Sequence, residues 1–504
     1  MSALNRPTPA LTLVKLDGSQ VNYSWADYSR HSADIMKALY RRGIRKGDFI
    51  AVIPLNLPES FFVLLGAIAL GAVPVPINAP LIKEPSQKDL KAILNDCKPK
   101  LVLANACLDE YLTDIEHISF EKLLSESASD DFALSGADWP NSKQLMIMPY
   151  TSGTTGGPKG VMLTQENIEN RVKAITEELG TSPEERLLSY LSLGHISELI
   201  ATLFGQLSVG YRVYFTEYAR EIVRDRERFR RAFPTVLQTV KPTVFLAVPK
   251  VWINIRREIE RKTRHIPLDL GRPGFFRDII VNKIKKRLGF QETTRFVSAG
   301  SKLSPEDKQF FARLGIYIDD VYGQTETAGP LTLNGKPLGD VSVKMGKDDE
   351  ILVEGPNIML GYFNNAEATA KVLDNGVFHT GDVGIIDEDL PPRVFYGGRL
   401  SDSFKLAQGE YITPEKIDEL ENEIRKISDV DETIVCGDGK PYLVALVFTS
   451  RSAAELRNIT RVGQGIYNIK KFLAVDPREL ELTPTLKVRR KIMLKKFESQ
   501  ISKL

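Results

Sequence analysis

Three observations predict an α/β protein divided into more than one folded unit. The chain has 504 residues, well beyond the roughly 250–300 at which a single hydrophobic core stops growing. Short apolar runs rich in β-branched residues alternate with amphipathic helical stretches, the order that lays helices against a largely parallel sheet. The 42% hydrophobic and 26% charged fractions, with Gly and Pro scattered throughout, are those of a globular protein that can bury a large core.

The elements follow in order. Phe49-Ile50-Ala51-Val52-Ile53 reads as a buried strand, Glu59 to Leu70 as a helix ended by Gly71, and Val73 to Ile77 as the next strand, which makes a βαβ unit. The apolar run Phe61 to Ile77 within it is shorter than the roughly 20 residues that span a bilayer, and it contains Pro74 and Pro76. A helix from Lys88 to Asn95 and a strand from Lys100 to Ala104 come next, and Ser125 to Ser142, rich in Ser, Asp and Ala, reads as a connection. Leu145 to Pro149 and Val161 to Leu163 are strand-like flanks of a loop, with a helix only after Thr164. Charged helical segments cover Arg224 to Arg231, Trp252 to Lys262 and Lys283 to Arg287. Past Gly397-Gly398-Arg399 a compact α+β pattern restarts for about a hundred residues, a normal domain size.

Charge and composition exclude several classes. Lys and Arg (67) nearly balance Asp and Glu (65), so no whole-molecule field favours nucleic acid. Cys97, Cys107 and Cys436 are too few and dispersed for a disulfide framework or zinc cluster, and read as core residues in a reducing compartment. The five histidines show no metal-ligand pairing at helical spacing. Met1 to Ala10 lacks the charged start and apolar block of a signal peptide, so a cytoplasmic protein is expected. The three basic helical runs admit two readings, solvated faces or a peripheral surface resting on anionic membrane. Ser502-Lys503-Leu504 likewise reads either as a chance ending or, in a eukaryote, as a peroxisomal address.

Chemistry concentrates first in Tyr150-Thr151-Ser152-Gly153-Thr154-Thr155-Gly156-Gly157-Pro158-Lys159-Gly160. Small residues expose backbone N–H groups, the hydroxyls add donors and Lys159 adds positive charge, a combination suited to a polyphosphate. It is not a Walker A loop, because Pro158 and Gly160 replace the Gly and Ser/Thr that flank the lysine there.

This run resembles the phosphate loop of the acyl-adenylate-forming superfamily, and further motifs in the same order extend the resemblance over nearly the whole chain. Tyr322-Gly323-Gln324-Thr325-Glu326-Thr327, after the turn Ser298-Ala299-Gly300-Ser301, looks like the second signature. The resemblance implies that Tyr322 lies along adenine, with Ala299, Gly300 and Gly323 beside it, that Thr325 meets the α-phosphate, and that Glu326, with Thr155, holds magnesium. Phe378-His379-Thr380-Gly381-Asp382 is similar to the third signature, which makes Asp382, with Arg399, the ribose contact. A carboxylate suits a vicinal diol because it can accept two hydrogen bonds. Leu193-Gly194-His195-Ile196-Ser197-Glu198 and Lys241 to Trp252 resemble segments of long-chain acyl-CoA synthetases; His195 then lines the junction of nucleotide and acyl group, and Leu199 to Leu207 wall an apolar tunnel. Ser192 stands where those relatives usually have Pro.

The C-terminal part resembles the family's moving piece. Gly398 to Asp402 is similar to the hinge, with Ser401 where Asp or Lys is usual, and Gln408 to Ile412 to the loop lining the pantetheine channel. Leu482 to Lys491 resembles the terminal motif carrying the adenylation lysine; Lys487 is the choice here, while a second register puts Arg489 in the slot.

The resemblance therefore implies a large N-terminal α/β domain (1–398) of two βαβ-type sheet subdomains plus a β-rich part, and a small mobile α+β domain (399–504). It implies ATP and Mg²⁺, a fatty acid as substrate and coenzyme A as acceptor. An acyl carrier protein is the alternative acceptor, and a non-catalytic nucleotide- or lipid-binding relative is the alternative of another class.

Overall fold

The computed structural model describes residues 9–83, 86–126, 139–152, 157–263, 275–387, 393–427, 429–452, 455–456, 462–482 and 488–504, with backbone only at 152 and 275–277. It is mixed α/β and divides into two compact units. The first takes in residues 1–153, 157–342 and 354–371; the second takes in 154–156, 343–353 and 372–504. Strands before residue 399 thus pack with the C-terminal part. The expected boundary at 398/399 does not coincide with this division.

In the first unit, the strands Phe49–Ile53, Val73–Pro76, Leu101–Ala104 and Ile118–Ser119 form a parallel sheet. Val73–Pro76 lies at its edge, where Pro74 and Pro76 cost few ladder bonds. Its helix runs Pro58–Ala69, with Pro at the first turn and Gly71, at φ +75°, just past the end. The next helix, Gln87–Cys97, extends beyond the expected span, and Ser125 lies inside the helix Phe120–Glu126; most of the expected connection, 127–138, is outside the described residues.

Two further sheets carry the other half of this unit. Leu11–Val14 pairs in parallel with Arg212–Thr216, which pairs with Arg186–Leu188. Val244–Ala247, Arg295–Ala299 and Ile318–Gln324 run parallel, and the chain then reverses into Gly329–Leu333 and Lys336–Pro337. The backbone of Thr243 donates to Arg186 O at 3.0 Å and links the two sheets. A core of Phe245, Trp252, Phe290, Phe296 and Phe311 packs against this region, so the aromatic residues of the Lys241–Trp252 segment serve the core. In the first two basic helical runs, several residues form ion pairs: Arg224 with Glu110, Arg228 with Glu221, Arg256 with Asp307, and Arg261 with Glu258.

The second unit holds a sheet of Ser342–Met345, Glu350–Glu354, Val377–Asp387, Leu373–Asp374 and Arg393–Arg399. Beyond it, Leu443–Thr449 runs between Val430–Cys436 and Ile469–Val475. Every residue of this central strand, Leu-Val-Ala-Leu-Val-Phe-Thr, is buried, because separate apolar clusters cover its two faces. Leu504 packs at the edge of one cluster, and its backbone oxygen accepts from Tyr442 Oη at 2.7 Å. Among the described residues no helix is long and apolar enough to cross a membrane.

Candidate functional site

The two ends of the phosphate-loop candidate are paired strands. Tyr150–Ser152 pairs antiparallel with Pro158–Thr164, so Thr151 faces Lys159 across the ladder and Ser152 faces Pro158. Gly153, Thr154, Thr155 and Gly156 lie outside the described residues. The base of this strand pair is anchored by Tyr150, whose hydroxyl donates to Asp96 Oδ2 at 2.6 Å; burial and this acceptor raise the phenol pKa. A Cβ at Gly160 would stand 3.0 Å from the Tyr150 ring, so the anchor needs the glycine opposite it. After the second strand, Thr164 caps the helix Gln165–Leu179 through a reciprocal bond with Asn167.

Ala299, Gly300, Tyr322 and Gly323 come from the carboxyl ends of adjacent parallel strands, where open α/β sheets bind ligands. Gly323 has no alternative: a Cβ there would lie 2.0 Å from Gly329 O, because the strand bulges between Tyr322 and Gly323. Thr325–Thr327 then forms one 3₁₀ turn. Thr327 Oγ1 accepts from Gln324 N at 3.1 Å and donates to Gly329 O at 2.9 Å, which closes the turn.

Glu326 is buried, and Tyr362 Oη donates to its Oε1 at 2.8 Å. Lys159 Nζ lies 4.7 Å from the centroid of the same tyrosine ring. One side chain therefore brings the lysine of the first motif and the carboxylate of the second together. The pattern of residues does not single out Tyr362; it follows the run Pro356-Asn357-Ile358-Met359-Leu360-Gly361, whose only visible signal is a Gly-Tyr pair after apolar residues. Among the described residues no group of three or more His, Cys, Asp or Glu forms a metal cage. A single carboxylate in an oxygen-rich turn suits a hard ion such as Mg²⁺ that takes its remaining ligands from substrate phosphates and water.

His195 precedes the one-turn helix Ile196–Glu198, which continues as a π-helix over Leu199–Phe204. Such π segments are rare and concentrate at functional sites. Tyr211 Oη donates to Ala201 O inside it, and Gly205 makes room, since a Cβ there would meet that hydroxyl at 2.3 Å. The segment packs beside the second motif, with Ile200 Cγ1 3.4 Å from where a Cβ on Gly329 would stand. Leu199 and Leu203 are fully buried. Ser192, in place of the usual Pro, bonds through its hydroxyl to Asn78 Oδ1 and accepts from Gly194 N at 3.2 Å, so it supports the turn by hydrogen bonds.

Glu198, given no role from the sequence, is fully buried beneath this turn. Ser189 Oγ donates to its Oε1 at 2.7 Å, and Asn56 Nδ2 lies at 3.4 Å. Burial pushes its carboxyl up to about 8, against the pull of the Ser189 and Thr202 hydroxyls and the Tyr190 backbone N–H. The three thiols go the same way: burial pushes Cys97 up to about 12 and Cys107 and Cys436 to about 11, and all three are free. None has the depressed pKa of a nucleophile.

In the second unit, Asp382 pairs across the ladder with Arg399, whose Nε stands 2.9 Å from Asp382 Oδ1. Glu350, also missed from the sequence, pins the preceding turn: its Oε2 lies 3.0 Å from His379 Nδ1, and its Oε1 accepts from Gly381 N at 2.8 Å. Ser401 lies in a 3₁₀ turn, Leu400–Asp402, and the Gln408–Ile412 loop is a hairpin tip tied by Tyr411 Oη to Ser403 Oγ at 2.5 Å. Lys487 lies outside the described residues; Arg489 precedes the helix Arg490–Lys496, and Arg490 is bound to Glu421 at 2.6 Å.

The family described as AMP-binding enzyme matches residues 3–363 of this chain. A long chain acyl-CoA synthetase 7, peroxisomal, from Arabidopsis thaliana is 30% identical over 86% of this chain and 70% of its own length. The long-chain-fatty-acid–CoA ligase FadD15 of Mycobacterium bovis is 26% identical over 96% of this chain and 92% of its own. Among solved structures, an o-succinylbenzoate coenzyme A synthetase from Bacillus subtilis in complex with ATP and magnesium ion superposes with a TM-score of 0.76 at 23% identity, covering 97% of each chain. The McyG A-PCP structure complexed with phenylalanyl-adenylate gives 0.79 at 17% identity, over 98% of this chain and 81% of that one. With the family match spanning most of the chain and the motifs in their expected order, this protein belongs to the AMP-binding enzyme family, within the acyl-adenylate-forming superfamily.

Proposed function

We propose that the protein activates a long-chain fatty acid with ATP and transfers the acyl group to the thiol of coenzyme A. The observation that carries this reading is the convergence of Lys159 and Glu326 on Tyr362, together with the long-chain ligases among the relatives.

In the first step a carboxylate oxygen of the acid attacks the α-phosphorus of ATP. The bond from that phosphorus to the bridging oxygen breaks, and pyrophosphate leaves with the electron pair. Little covalent chemistry is asked of the protein, so positioning and charge stabilisation dominate. Lys159 and the loop from Thr151 to Gly156 hold the β- and γ-phosphates, Thr325 meets the α-phosphate, and Lys487 binds the oxygens that gain charge. Magnesium, held by Glu326 with Thr155, neutralises phosphate charge when bound. Tyr322, Gly323, Ala299 and Gly300 bracket adenine, and Asp382 with Arg399 holds the ribose. His195 sits where the nucleotide meets the acyl group. In the second step the part beyond 398 turns about Ser401, the CoA sulfur attacks the acyl carbon, the carbon–oxygen bond to phosphate breaks and AMP leaves.

The test is AMP release measured over fatty acids from short to very long, with CoA, with a phosphopantetheinylated carrier protein, and with neither. AMP and acyl-CoA formed from long-chain acids support the reading. Thioester formed only on the carrier protein replaces the acceptor. No carboxylate-dependent AMP at any chain length overturns it in favour of a non-catalytic binder.

A further inference from the structure

We infer that Tyr362 is a positioning residue of the ATP site. Its hydroxyl sets the orientation of the Glu326 carboxylate toward magnesium, and its ring face seats the Lys159 ammonium, so one side chain ties the metal end of the site to the phosphate-loop end. This rests on the reading that Glu326 carries the metal.

The side-chain geometry is specific. Tyr362 is 7% and Glu326 9% exposed, and the 2.8 Å bond runs from phenol to Oε1. A carboxylate bound to a metal at one face needs an outer partner to hold its plane, and such partners govern metal affinity. Lys159, 4.7 Å from the ring centroid, lies within cation–π range on the same residue.

The backbone is built to keep Tyr362 there. Gly361 and Tyr362 pair with Met162 and Val161 on the strand that leaves the phosphate loop, and Phe363 N donates to Gly160 O at 2.8 Å. Just upstream, Met359 N donates to Glu326 O at 2.9 Å and Asn357 Nδ2 to Thr327 O at 3.2 Å. Asn167, at the start of the helix after the phosphate loop, donates to both Pro356 O and Ile358 O. Residues 356–363 are therefore stitched to both motifs, and a shift of either would be felt by the other through Tyr362.

Two substitutions separate the two contacts. Tyr362→Phe keeps the ring and removes the hydroxyl; Tyr362→Leu removes both. Binding of Mn²⁺ in the presence of α,β-methylene-ATP, followed by electron paramagnetic resonance, needs no turnover, and Glu326→Gln serves as the reference. The expected result for Tyr362→Phe is Mn²⁺ affinity weakened about tenfold or more, the usual effect of losing an outer-sphere partner. Its ATP-dependent activity should recover at high Mg²⁺. Tyr362→Leu should also raise the KM for ATP at saturating Mg²⁺. Wild-type Mn²⁺ affinity in Tyr362→Phe, with affinity lost in Glu326→Gln, overturns the role of Tyr362 and leaves Glu326 as the metal residue. A fall in kcat that no Mg²⁺ concentration rescues also overturns it. Unchanged Mn²⁺ affinity in Glu326→Gln removes the metal reading and this inference together.

Discussion

Asp382 and Arg399 face each other across an antiparallel ladder, with the guanidinium Nε 2.9 Å from a carboxylate oxygen that is almost wholly buried. The register makes the pair: the strands Val377–Asp387 and Arg393–Arg399 meet so that the last residue of the third motif is the partner of an arginine within the proposed hinge segment. A diol contact needs acceptors that do not swing. The arginine on one side and Glu350 on the other hold this turn still.

Replacing Asp382 with Asn should therefore lower kcat/KM for ATP about 10- to 100-fold, as expected for a lost charge-assisted bond of about 1.5–3 kcal/mol. Arg399→Ala should lower it too, and should also cost about 1–3 kcal/mol of stability, because it strands a carboxylate that is 1% exposed. Urea midpoints beside ATP kinetics would show this; a midpoint for Arg399→Ala equal to that of the parent would mean that the pair does not support the fold.

Glu198 predicts a pH dependence. Burial raises its carboxyl to about 8, so between about pH 4.5 and 8 the folded protein keeps a proton that the unfolded chain has released. Its contribution to stability is then most favourable at low pH, falls as pH rises across that window and levels off above it. With about 1.4 kcal/mol per pKa unit, the total change is a few kcal/mol. Glu198→Gln, which mimics the protonated group, should be more stable than the parent at pH 8 and nearly equal at pH 5. An unaltered slope of urea midpoint against pH in the variant would refute the assignment.

Gly398 is committed both by conformation and by space. Its φ is +129°, and a Cβ would lie 2.4 Å from Pro414 Cβ, at the first turn of the helix Pro414–Arg425. Gly398→Ala should cost about 1–3 kcal/mol, the usual range for overpacking. At Gly397 the nearest atom to an added Cβ is 3.2 Å away, so Gly397→Ala should cost less. Thermal unfolding of the two variants compares them directly, and a reversed order would contradict the geometry.

The adenylation lysine is settled by separating the half-reactions. Lys487→Ala should abolish fatty-acid-dependent pyrophosphate exchange while thiolation of supplied acyl-AMP survives. Arg489→Ala should leave exchange within a few-fold, since a guanidinium does not stand in for an ammonium at such a site. The opposite pattern would move the role to Arg489.

Contiguous chemistry is legible in the order of the residues alone. The hydroxyl- and glycine-rich segment, the Thr-Glu-Thr turn and the Gly-Asp strand are each defined by neighbours in the chain, and the strands flanking the first, the turn of the second and the strand of the third agree with the residues. The supporting residues are not legible in this way. Tyr362 meets Glu326 from 36 positions away, Glu350 meets Gly381 from 31, and Asp96 meets Tyr150 from 54. No local pattern marks a tyrosine or a glutamate as the partner of a distant motif.

The sequence by itself determined the α/β class, the order of the motifs and the residue types available to a nucleotide, because hydrophobic period, turn chemistry and functional groups are properties of neighbouring residues. Only the tertiary structure decided which groups meet: that the strands Glu350–Glu354 and Val377–Asp387 pair so that Glu350 holds the Asp382 turn, and that Tyr362 stands between Lys159 and Glu326. Strand register follows from which faces are buried and from the loops that close them. That burial is settled by the whole packed unit, so the partners of a buried carboxylate emerge only when distant segments share one core.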